Sequence, residues 1–132
     1  MPREMRFGVE NLRRVRQVTA RWAALAGLPP GRAEDFVIAV NEIATNAVRY
    51  GSPMAWLMLR ITEENMAEAE VRDEGRWPPG SMTAPAGEEH GRMGLALVRR
   101  ACDAMEIRAG DNGTTVILRM RLHARRPAPG PQ

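Results

Sequence analysis

The chain has 132 residues, 44% hydrophobic and 27% charged, with a formal net charge of +3; that is the size of one ordinary domain with a core of its own. No run of eighteen apolar residues occurs, which excludes a membrane-spanning helix, and a single cysteine, Cys102, excludes an internal disulfide. All nineteen basic residues are Arg, spread among sixteen acids with no dense run outside Arg125-Arg126, so charge alone does not point to nucleic acid. The opening segment MPREMRFGVENLRRVR is charged and lacks an apolar signal core, so the expected location is cytoplasmic.

In chain order, residues 5–9 (MRFGV) read as a short strand and 10–26 as a helix. Leu12, Val15, Thr19, Trp22, Ala23 and Ala26 fall at helical spacing, with Arg13, Arg14, Arg16 and Arg21 elsewhere around it. Gly27-Leu28-Pro29-Pro30-Gly31 stops this helix. A second helix is expected over 32–50, its apolar stripe running from Phe36 to Val48 until Gly51-Ser52-Pro53. Residues 55–62 and 66–73 alternate as strands around the turn Glu63-Glu64-Asn65, an antiparallel hairpin by its short loop. Ala67, Ala69, Val71 and Asp73 share the inward parity; Trp56, Met58, Arg60, Glu68, Glu70 and Arg72 share the other, more polar face.

Residues 74–92 are rich in Gly, Pro and polar residues, a loop long enough to suggest function. A third helix is expected over 93–104, then strands near 104–109 and 114–122 around Gly110-Asp111-Asn112-Gly113. The expected fold is a two-layer α/β sandwich, a mixed, mostly antiparallel sheet with helices on one face. Residues 1–122 form its single domain, and 123–132 form a disordered tail.

Three polar clusters interrupt these elements. Glu42 and Asn46 lie four apart, so both side chains share one helical face at the edge of the apolar stripe. Taken alone, such a pair also reads as a solvated helix edge. Asp73 points inward at a strand end, where a carboxylate is costly unless it finds donors; Gly75 follows it, and the plain alternative is a strand-terminal turn. Gly91-Arg92-Met93-Gly94-Leu95 opens a helix, where glycines allow close backbone approach and the free N–H groups favour phosphate. No G-K-[ST] triplet is present, so this is not a Walker loop.

The ordered segments NEIATNAVRYG, VRDEGRWPPG, GRMGLALVRRACDAMEI and NGTTVILRM resemble the GHKL (histidine-kinase-like) ATPase superfamily. Within it the chain most resembles the small anti-sigma-factor serine/threonine kinases of bacteria, over about residues 7–122. The resemblance implies the Bergerat-type ATP-binding fold and binding of ATP with Mg²⁺. By position it makes Asn46 the magnesium ligand and Glu42 the general base. Asp73 would accept from the adenine amino group, with Gly75 beside the ring. Gly91, Met93, Gly94 and Leu95 would frame the phosphates. Thr114 would hold the adenine edge, a choice that strand parity supports, since Thr114 aligns with inward Val116, Leu118 and Met120. Arg49 and Tyr50 would lie near the nucleotide. The implied partners are a sigma factor and a small anti-anti-sigma (STAS-type) protein phosphorylated on Ser or Thr, with a homodimer as a further association and no direct contact with nucleic acid or membrane.

The chain departs from the pattern at Trp77, where D-x-G-x-G has a second glycine, and Pro78-Pro79 stiffen the following segment. This leaves open a second reading, a nucleotide-binding module that acts by sequestering its partner without phosphoryl transfer. His90 reads either as a phosphate-contacting residue or as a solvated side chain. Trp56 and Met58 read either as a contact surface or as covered by the N-terminal strand.

Overall fold

The computed structural model describes residues 2–75, 98 and 100–123. Period-two alternation becomes five strands: β1 (Arg3–Phe7), β2 (Ala55–Ile61), β3 (Met66–Asp73), β4 (Ala104–Gly110) and β5 (Gly113–Arg121). They form one sheet in the order β1-β2-β3-β5-β4, with every described neighbour antiparallel. The two apolar stripes become α1 (Leu12–Ala26) and α2 (Pro30–Asn46). Both expected boundaries shift. β1 ends at Phe7 because Gly8 begins a 3₁₀ turn, Val9–Asn11, in which the Asn11 side chain accepts from the Gly8 N–H at 3.0 Å. The α-helical winding of the second helix ends at Asn46, not 50, and continues as a π-turn, Ala47–Gly51, closed by Ser52 N–H to Ala47 O at 3.2 Å.

Between the helices, Gly27 takes φ 102°, a left-handed cap that donates back to Ala23 and Ala24, and Pro30 supplies the first position of α2. Of the third helix expected over 93–104, residues 98, 100 and 101 are helical, whereas Cys102 and Asp103 are not and Ala104 already begins β4; residues 93–97 and 99 lie outside the described residues, as do the Trp77-Pro78-Pro79 run, Glu88, Glu89, His90 and the tail from 124 onward. Among the described residues no helix is long and apolar enough to cross a membrane.

The core lies between the helices and the inward parity of the sheet. Phe7, Val15, Phe36, Val40, Ile43, Leu57, Leu59, Val71, Leu118 and Met120 are buried there, and Trp22 stacks on Phe36 with centroids 6.0 Å apart. Each large side chain so buried contributes about 1.5–3 kcal/mol of transfer energy. The opposite face departs from its polar pattern. Glu68 is only 3% exposed, because the register places Arg60 and Arg119 on either side of it and both guanidinium groups bond its carboxylate. Ile117 is buried beside it. β1 does not cover Trp56; it pairs with β2 in the plane of the sheet, and the Trp56 ring lies between Arg6 and Arg72, 5.5 and 5.1 Å from its centroid.

Candidate functional site

α2 carries both members of the first polar pair. Asn46 is buried at 5% exposure, not at the solvated edge its spacing allowed, and Glu42 one turn earlier is half-buried. The Asn46 amide makes no hydrogen bond among the described residues, and the fully enclosed unpaired polar atoms there are Thr19 Oγ1 and Arg32 Nε, not those of Asn46, so the amide keeps access from outside. Its oxygen is therefore available to a ligand. Near the same stretch of helix, Arg16 of α1 donates to the Asn41 side chain at 3.2 Å.

The π-turn after Asn46 carries the chain to the end of β3. Such wide turns are rare and frequently fall at functional sites. Arg49 and Tyr50 sit in it as a pair, the guanidinium 5.0 Å from the ring centroid, Arg49 exposed and Tyr50 half-buried. Gly51 closes the turn against Asp73. A Cβ at Gly51 would stand 2.6 Å from Asp73 Oδ2 and closer still to Oδ1 and Cγ. Asp73 itself is 7% exposed and inward, as its parity predicts, and its Oδ1 accepts from the Gly75 N–H at 2.8 Å. At Gly75 a Cβ would meet the Gly51 backbone inside 3.0 Å. Gly75 thus lets the D-x-G turn pack on the π-turn, a role in addition to the one the resemblance implies.

β5 completes the cluster. Thr114 is opposite Asp73 in the register, 2% exposed, and its hydroxyl donates to the Gly75 carbonyl at 3.1 Å. Gly113 takes φ 128° and packs a bare Cα against the Asp73 carbonyl. Ser52 adds an outer tie, its hydroxyl accepting from the Glu74 N–H at 3.2 Å. Asp73, Gly75 and Thr114, 41 residues apart at the extremes, therefore meet at one strand end, with the Asn46 helix led to them by the π-turn. Gly91, Met93, Gly94 and Leu95 lie outside the described residues. Sequence reasoning missed Gly51, Ser52 and Gly113 as parts of the site; the run Gly51-Ser52-Pro53 showed only as a helix stop.

A concavity of about 800 Å³ opens beside Asp73 and Glu74, but Arg6, Trp56, Arg72 and Thr115 on the other face of the sheet line it, and Glu42, Asn46 and Thr114 do not. It is not the space next to Asn46. Among the described residues no cluster of three His, Cys, Asp or Glu could hold a metal. The residues present still fit Mg²⁺, which takes few protein oxygens and keeps its waters and phosphates; among the described residues the Asn46 amide oxygen is of the type that would hold it.

Residues 6–120 match the histidine kinase-like ATPase domain family. The chain belongs to that family. The ATP expected from its ordered motifs follows from this membership. Similar solved structures agree on the fold. The RsbU and RsbW domains of Rv1364c from Mycobacterium tuberculosis match with TM-score 0.70 at 23% identity, over 92% of this chain and 32% of that one. The histidine kinase domain of the Erythrobacter litoralis EL346 blue-light activated histidine kinase matches with TM-score 0.57 at 18% identity, over 86% of this chain and 60% of that one. The Acinetobacter baumannii histidine kinase AdeS matches with TM-score 0.51 at 10% identity, over 92% and 68%. The chain thus spans about a third of the first of these proteins and somewhat under two thirds of the second. No curated protein matches the sequence.

Proposed function

We propose that the chain is a Mg·ATP-dependent anti-sigma factor: it sequesters a sigma factor and phosphorylates a Ser or Thr of an anti-anti-sigma partner. The carrying observation is Asn46, a buried amide without a hydrogen bond among the described residues, on the helix that leads to the Asp73–Gly75–Thr114 cluster. Family membership supports ATP, and the motif order that resembles the small anti-sigma kinases supports the partners.

In this reading Asp73 accepts from the adenine amino group while the Gly75 N–H holds the carboxylate in place. Asn46 supplies an oxygen to Mg²⁺, which when bound neutralises phosphate charge. Glu42 accepts the proton of the partner's hydroxyl as its oxygen bonds to the γ-phosphorus; the bond to the β-phosphate oxygen breaks and ADP leaves. Positioning and charge neutralisation do most of this work, and a placed carboxylate base adds about 10²–10⁴-fold. The exposed Trp56, bracketed by two arginines, lies on the face through which a homodimer would form.

The test is radiolabelled ATP with candidate anti-anti-sigma proteins. Asn46→Ala is expected to lose Mg-dependent ATP binding, and Glu42→Gln to bind ATP but lose transfer. Wild-type protein that binds ATP and transfers nothing to a cognate partner would leave the sequestering module, the reading that Trp77-Pro78-Pro79 favours, and refute the kinase. Absence of any nucleotide binding refutes both.

A further inference from the structure

Sharing no lining residue with the Asn46 cluster, α1 and the outer edge of β1 enclose a groove of about 440 Å³. Arg3 of the strand and Arg14 and Arg21 of the helix line it, together with Val18, Trp22 and Leu25. No carboxylate lines the groove, and none of the three arginines is paired with an acid among the described residues. Elsewhere on the protein, Arg32, Arg60, Arg72, Arg108 and Arg119 each have a carboxylate within 4.0 Å. Between the unpaired charges lies apolar surface, for Leu25 is 67% exposed and Val18 half-buried. The neighbouring strand is an edge. β1 pairs only with β2 among the described residues, so its outer N–H and C=O groups face away from the sheet.

We propose that this groove docks an extended, acidic and partly apolar segment of a partner protein, added alongside β1. Charge complementarity selects the acids and the edge strand selects an extended chain. In such a segment alternate side chains lie about 6.7 Å apart. Arg14 and Arg21, two helical turns apart, are separated by about 10.5 Å along α1, within reach of two or three alternating carboxylates. An intervening leucine or valine covers Leu25 and Val18. The same features disfavour other occupants. A second copy would bring three arginines against three arginines, and like charges across a pair of strands are destabilising. A nucleic acid would want an exposed stacking surface, and Trp22 is only 5% exposed.

The proposal is independent of the nucleotide reading and is tested without ATP. A fluorescein-labelled octapeptide alternating Glu with Leu and Val is titrated into the full chain, with the peptide bearing Lys for Glu as the control. Binding is expected to weaken with salt and to be at least tenfold weaker in Arg14→Glu/Arg21→Glu. Leu25→Ala should weaken it several-fold, and Arg13→Glu, which lies outside the groove, should leave it within twofold. Amide NMR shifts induced by the peptide should fall on β1 and α1. Since these side chains are exposed, each variant should keep its circular dichroism, and Leu25→Ala keeps all charges as a second check. Equal affinity in the double variant overturns the proposal, as does equal binding of the lysine peptide or shifts confined to another face. Arginine-dependent binding to phosphatidylglycerol vesicles in place of the peptide, or arginine-dependent self-association, overturns it in favour of that occupant.

Discussion

Gly51→Ala changes one hydrogen for a methyl group and replaces none of the residues assigned to binding or chemistry. The new Cβ would stand 2.6 Å from Asp73 Oδ2, where ordinary contact begins at 3.4 Å. The carboxylate must therefore retreat by at least the difference, about 0.8 Å, and by more at Oδ1 and Cγ, which stand closer still, or the π-turn must move by as much. A retreat of that size stretches the 2.8 Å bond from the Gly75 N–H to about 3.6 Å or beyond, which is no longer a hydrogen bond. Losing a bond to a charged acceptor costs about 1.5–3 kcal/mol, and overpacking a filled site costs about 1–3 kcal/mol. The two overlap, so a net loss of about 2–4 kcal/mol is expected from urea denaturation. If Asp73 holds the adenine, affinity for ATP measured by calorimetry should fall at least tenfold. Gly31→Ala is the control: a Cβ there meets nothing within 4 Å, and at a helix position it should stabilise by about 0.4–1 kcal/mol. Wild-type stability and wild-type ATP affinity in Gly51→Ala would refute the idea that this glycine sets the carboxylate. Lost stability with unchanged affinity would confine Gly51 to folding and remove Asp73 from the adenine.

Two further outcomes follow from ionisable groups outside the site. Burial pushes the Glu68 carboxyl up, but the hydrogen bonds from Arg60 and Arg119 outweigh it and leave the group below its ordinary value. Its stabilisation is therefore complete above the unfolded value, about 4.3, and is lost as pH falls through the lower folded value. Glu68→Gln should cost about 1–3 kcal/mol at neutral pH, less than a fully buried pair because Arg60 is half exposed, and should flatten the acid limb of a stability–pH curve; an unchanged limb contradicts the assignment. Burial, with Asp103 and Asp35 adding to it, pushes the Cys102 thiol up to about 12. At pH 8 its thiolate fraction is then about 10³-fold below that of an ordinary cysteine, so iodoacetamide should label it far more slowly in native protein than in urea. Equal rates would show that the side chain is not held in its buried setting.

Much of this was legible in the chain before folding was considered. Alternation marked β2 and β3 nearly to the residue, and helical spacing marked α1 and α2, because the pattern of burial in a single element repeats in its own sequence. Strand parity alone put Asp73 and Thr114 on the inner face, where they meet. The order of the Glu42–Asn46, Asp73–Gly75, Gly91–Gly94 and Thr114 motifs also pointed, by resemblance, to the family that the chain belongs to. What could not be read was whatever depends on a neighbour distant in sequence. The placement of β5 between β3 and β4 brings Thr114 to Gly75 across 39 positions. Asn46 changed from a solvated edge to a buried amide because the sheet packs over that side of α2. Gly51 looked like a helix stop until Asp73 filled the space beside it. Glu68 kept its outward parity and was still buried, since two arginines on adjacent strands close over it. Periodicity reports which face a residue takes; only the packed structure decides what stands against that face.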